Sequence, residues 1–208
     1  ALPICVVWLP KSVNNMTKPA TGWVGQGVGV RVVSAYACQI FVGEIKNFAT
    51  GLLVSSFNTN GTVQTNFYLG NLDNNKVNLA LTPGDATSWV NENNFIGGRY
   101  HHNSSEGINV SGVRHILMSK SSFVVNNNLF IKPSIEADTP EYHVENGGQV
   151  NTIQQGRWEA TPPKVLYTYD NADQGTRNSI IGGYGQDNIV FTFTGSGGGG
   201  NNNRSVLA

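Results

Sequence analysis

Charge is what this chain has least of. Its 208 residues hold 13 Lys and Arg against 13 Asp and Glu, a charged share of 12% with no net sign. That is about half the usual share of about 25%. Lys and Arg nowhere cluster, so no nucleic-acid partner is expected. No apolar run reaches the roughly 18 residues of a membrane helix, so no membrane span is expected either. Helical periodicity is missing too: beyond about residue 28 no segment keeps apolar residues at i, i+3, i+4 and i+7 over three turns. Cysteine is confined to Cys5 and Cys38, with no C-x-x-C and no Cys/His metal spacing, so neither metal nor cofactor is expected. Both cysteines lie in apolar sequence and read as separate buried thiols; a disulfide would need their Cα atoms within about 7 Å. The start, Ala1-Leu2-Pro3-Ile4-Cys5, lacks the basic and apolar regions of a signal peptide and reads as an internal cut or a processed start.

What is present is β structure. Hydrophobic residues make up 39% and aromatics 10%, too many for a disordered chain. Short β-branched and aromatic runs recur between Gly, Asn, Asp and Pro. A pattern repeats through them: a first residue, usually polar, an apolar residue two later, Gly or Pro at five, an apolar residue at seven. It begins at Cys38, Thr65, Asn93, Asn128, Asn151 and Asn178, so the spacings are 27, 28, 35, 23 and 27. Such a period marks a solenoid. A second strand is expected in each unit, at 51–55, 78–81, 113–120, 141–145, 164–169 and 188–193.

The expected fold is therefore all-β: a right-handed single-stranded parallel β-helix (β-solenoid) of about six coils. Equivalent residues would stack about 4.8 Å apart. Phe67, Phe95 and Phe130 would form one inward column and Leu72, Tyr100, Ile135 and Trp158 another. Asn93, Asn128, Asn151 and Asn178 would form an amide ladder at a turn. Residues 1–29 read as a lead-in or partial coil, 30–194 as the β-helix, and 195–208 as a Gly/Asn-rich linker or tail.

Three segments carry a resemblance: Trp89-Val-Asn-Glu-Asn-Asn-Phe-Ile-Gly-Gly-Arg99, Val110-Ser-Gly-Val-Arg-His-Ile-Leu117 and Gly156-Arg-Trp-Glu-Ala160. They resemble bacteriophage tailspike and neck-appendage proteins with pectate-lyase-like β-helices, over roughly residues 30 to 193. The resemblance implies a homotrimer on the virion, joined to other tail proteins, that adsorbs to a bacterial surface polysaccharide or teichoic acid. Many such proteins degrade that polymer. No catalytic motif of the family matches here residue for residue.

The repeat also proposes a site. Position eight follows the inward position seven and should face solvent. It reads Lys46, Asp73, His101, Glu136, Glu159 and Gln186, a stripe of three carboxylates and a histidine. Stacking puts Glu136 and Glu159 about 5 Å apart at the backbone, the separation of a retaining glycosidase pair, and Asp73 and Glu136 at about 10 Å, near the inverting range. Crowding is expected to raise their pKa values. Asp73, Glu136 and Glu159 are thus the candidate catalytic residues. His101, with Arg99 and Arg157 from position six, would bind ligand, and Trp158, if exposed, would stack on a sugar. A solvated acidic face that merely protects a sheet is the plain alternative, and a purely structural shaft is the corresponding function. His101 and His102 are adjacent on a strand and face opposite ways, so they chelate poorly. His115, between apolar residues, reads as structural. A G-x-S-x-G motif is absent, and Gly25-Gln-Gly-Val-Gly29 lacks dinucleotide-loop spacing.

Overall fold

The computed structural model describes residues 5–14, 27–102, 112–119, 125–137, 141–159, 162–169, 177–185, 188–195 and 204–206. It is all-β with parallel sheets, a β-solenoid-like arrangement, and every strand pairing among the described residues is parallel. The expected repeat is the stacking unit: Ile40 pairs with Phe67, Phe67 with Phe95, Phe95 with Phe130, Phe130 with Ile153 and Ile153 with Ile180.

The first sheet is ten-stranded. It contains β1 (Cys5–Trp8), β2 (Ser12–Asn14), β4 (Cys38–Lys46), β7 (Asn66–Asp73), β10 (Asn94–His102), β13 (Leu129–Ile131), β14 (Ser134–Ala137), β16 (Thr152–Trp158), β18 (Ser179–Tyr184) and β20 (Arg204–Val206). The second runs from β3 (Val28–Val33) through β5 (Thr50–Ser55), β8 (Val77–Leu81), β11 (Arg114–Met118), β15 (Tyr142–Asn146) and β17 (Lys164–Tyr169) to β19 (Val190–Gly195). A third, of β6 (Gly61–Val63), β9 (Trp89–Asn91) and β12 (Val125–Asn126), escapes the sequence pattern because two or three residues present too few side chains to reveal a period.

Alternation along the first-sheet strands sends positions two and seven inward. Phe67, Phe95 and Phe130 are fully buried and stack with ring centroids 4.8 and 4.9 Å apart. Each such side chain contributes about 1.5–3 kcal/mol by burial. Ile45, Leu72, Tyr100, Ile135 and Trp158 form the second inward column. The glycine at position five is set by close approach between units. A Cβ on Gly43 would lie 2.3 Å from the Lys11 carbonyl oxygen, and one on Gly70 2.2 Å from that of Gly43.

The asparagine ladder is present and buried. Asn93, Asn128, Asn151 and Asn178 each point Oδ1 at the backbone N–H of the preceding ladder residue, at 2.9–3.2 Å. Their Nδ2 atoms donate to the carbonyls of Thr62, Val90, Val125 and Gly148. The residue just before each ladder position (Ala37, Gln64, Glu92, Asn127, Val150 and Arg177) takes a positive φ of 51–57°. The left-handed residue turns the chain, and the amide behind it satisfies the backbone groups that the turn frees. Valine is the least suited of these, because a β-branched residue is strained there. Val150→Asn is therefore expected to stabilise the protein by about 1 kcal/mol, readable as a higher urea midpoint at unchanged slope.

Cys5 and Cys38 do not remain separate thiols. Pairing of β1 with β4 sets them directly opposite, with Cα atoms 4.6 Å apart, and they form a disulfide. Distance in sequence misled here because Cys5 lies outside the obvious repeat.

Candidate functional site

Parallel register assembles the expected stripe. Asp73 lies between Lys46 and His101, and His101 lies beside Glu136. Ile135 pairs with Trp158, and the Glu159 N–H bonds the Ile135 carbonyl, which carries Glu159 next to Glu136. Gln186 falls outside the described residues. Two positions back along the same strands, Arg99, Ser134, Arg157 and Tyr184 form a parallel row.

The side chains of these two rows interlock. Arg99 Nε donates to Glu136 Oε2 at 2.8 Å, and Ser134 donates to Glu136 Oε1 at 2.8 Å. Arg157 reaches Glu136 Oε1 at 3.4 Å and also pairs with Glu159. Crowding does not raise the Glu136 pKa. Burial does push it up, but the Ser134 hydroxyl, the Arg99 hydrogen bond and the charges of Arg99 and Arg157 outweigh burial and hold it below its ordinary value. Glu136 is thus held as a carboxylate, suited to accepting hydrogen bonds and unsuited to donating a proton. His101 Nδ1 meets Asp73 Oδ1 at 2.8 Å, which fixes the ring and leaves Nε2 turned away from that contact. His102 faces inward and is buried, as the alternation requires.

Trp158 does not offer a sugar-stacking face: it is 2% exposed and belongs to the inward column. Position seven points inward, and that rule overrides a surface role. The exposed aromatic of this region is Tyr184, 73% accessible, in register with Arg157. Sequence reasoning missed it because Gly185 breaks the repeat at that point.

A second outward row also went unread. Position three carries Phe41, Tyr68, Ile96 and Ile131, preceded on β1 by Trp8. Trp8 stacks on Phe41 at 4.0 Å and Phe41 on Tyr68 at 4.6 Å, with near-parallel rings. The signal was in the repeat, as a bulky residue one place after each inward position two. No group of three or more His, Cys, Asp or Glu among the described residues has the geometry to hold a metal ion.

No family model, curated protein or solved structure matches the chain.

Proposed function

We propose that the chain is the right-handed β-helical part, about six coils long, of a trimeric phage tailspike or neck appendage. It recognises a bacterial surface polysaccharide or teichoic acid through the outer face of its ten-stranded sheet. One observation carries the reading. Arg99, Glu136, Arg157 and Glu159 present a continuous set of charged donors and acceptors on that face, ended by the exposed Tyr184 ring. Planar side chains fixed by one another lose little freedom on binding, and they match sugar hydroxyls as paired donors and acceptors. The virion setting comes from the tailspike resemblance.

A second reading is favoured by the Asp73–His101 contact, which orients an imidazole for proton transfer beside an ionised Glu136. On that reading the chain is a depolymerase, hydrolase or lyase, with Asp73, Glu136 and Glu159 as the acidic residues.

Purified host wall polymers separate these. Retention on the polymer without products supports recognition, released oligosaccharides support cleavage, and neither across several hosts leaves a structural shaft. Glu136→Gln removes the charge that holds both arginines. It is expected to weaken polymer binding about tenfold, a loss of about 1.4 kcal/mol, while costing only a few degrees of melting temperature, because glutamine keeps the shape and an acceptor oxygen for the same donors. Unchanged binding in both Glu136→Gln and Glu159→Gln would remove this row from the function.

A further inference from the structure

The stacked aromatics at position three border an open groove of 630 Å³, within the usual range of small-ligand sites. It is lined by the rings of Trp8, Phe41 and Tyr68, by Gly43 and Gly70, and by Lys11. The stacking geometry decides what the rings can do. Each ring covers the face of the next, so Phe41 and Tyr68 turn edges outward and are only partly exposed. Trp8 ends the stack on the outermost strand and is 73% exposed, so one indole face stays open. The two glycines present bare backbone, since any side chain there would run into the carbonyl of the neighbouring unit.

Lys11 gives the groove a sign. It is exposed and makes no ion pair among the described residues. Glu44, an acid two residues from the end of β4, is already taken by the Ser12 hydroxyl at 2.7 Å and by Lys46 at 3.3 Å. An open aromatic face in a groove that the exposed Lys11 also lines suits a ring with an apolar C–H face and an anionic substituent.

We infer that this groove is a subsite for an acidic sugar unit, its ring stacked on Trp8 and its carboxylate or phosphate held by Lys11. The inference rests on the glycan-binding reading above and adds a contact separate from the arginine–glutamate row. The exposed Lys11 in the lining argues for an anionic saccharide over a second copy of the chain, because the buried centre of a protein interface is depleted of lysine.

Isothermal titration with three oligomers of equal length tests this: oligogalacturonate, oligo(glycerol phosphate) and a neutral malto-oligosaccharide. At least one acidic oligomer is expected to bind, with the neutral one about fivefold or more weaker. Whichever acidic oligomer binds identifies carboxylate or phosphate as the anion. Trp8→Ala is expected to weaken that binding about tenfold or more. Lys11→Met is expected to erase the preference for acid and leave neutral binding unchanged. Equal affinity for neutral and acidic oligomers, or an unaffected Trp8→Ala, overturns the proposal. If Glu136→Gln lowers polymer binding and Trp8→Ala does not, the groove fails while the glycan reading survives; if no glycan binds at all, both fail. Sedimentation of wild type and Trp8→Ala covers the remaining occupant, since self-association lost in the variant would assign the groove to a second copy and overturn the sugar.

Discussion

Asn128→Ala is expected to be among the most damaging single substitutions in the molecule. Asn128 Oδ1 accepts from both the backbone N–H and the Nδ2 of Asn93, and its own Nδ2 donates to the Val90 carbonyl. Alanine takes these partners from two buried backbone groups, the Asn93 N–H and the Val90 carbonyl, while Asn93 Nδ2 keeps its bond to the Thr62 carbonyl. At about 1–3 kcal/mol for each orphaned group, the loss is about 4 kcal/mol. For a domain of this size that lowers the melting temperature by about 10 °C or more. The solvent-facing Gln154 on the same sheet is the control, and Gln154→Ala should stay within about 0.5 kcal/mol. If thermal melts of the two variants coincide, the ladder is not what binds one unit to the next.

Acid is expected to act nearly as strongly, through three histidines inside the stack. His102, His115 and His143 are buried in a row, with ring centroids 4.6 and 5.5 Å apart. His102 donates from Nε2 to the Asn75 carbonyl. His115 Nδ1 accepts from Asn78 and His143 Nδ1 from the Lys164 N–H, each at 2.9 Å. As acceptors, Nδ1 of His115 and Nδ1 of His143 carry no proton. Burial pushes His102 down to about 4, despite the opposing Asn75 carbonyl. Burial and then the Lys164 charge push His143 to about 4 as well. His115 is driven well below its ordinary value by burial and then by its histidine neighbours. The unfolded chain has ordinary histidines near 6.5 and binds protons first as pH falls. Stability from these groups is therefore whole above about pH 6.5 and lost progressively down to about pH 4. His102 and His143 each contribute on the order of 3 kcal/mol in this way. Carboxylates held low, such as Glu136 and Glu141, add their own loss only below about pH 4.5, the ordinary glutamate value. Urea midpoints taken between pH 7.5 and 5 isolate the histidines. A flat profile over that range would show that the row is already solvated or charged at neutral pH.

The repeat made the first sheet legible because alternation and stacking both act on every unit. Once Phe67, Phe95 and Phe130 align, the ladder and both inward columns follow by counting. Counting also placed Asp73, His101, Glu136 and Glu159 in one row. It did not fix their charge states, because those depend on which rotamers bring Arg99 and Arg157 across. Trp158 was given two roles that compete, and its inward position excluded the other. The histidine row was invisible for a different reason. His102 closes a strand of the first sheet while His115 and His143 are the second residues of β11 and β15 in the second, so their meeting depends on connections of unequal length. Cys5 could have been aligned with Cys38 by sliding Cys5-Val-Val7 onto Cys38-Gln-Ile40, a match too short to stand out unaided.

Those unequal connections have a consequence of their own. The unit from Asn93 to Asn128 is 35 residues and the next is 23, yet Phe95, Phe130 and Ile153 stay in register. The length difference is absorbed wholly between the sheets and never within them. New segments can therefore be spliced in at those borders without resetting the interior, so the surface of this molecule can diversify while its framework stays put. An engineer would use it the same way, keeping the paired strands and exchanging the displayed payload at the borders alone.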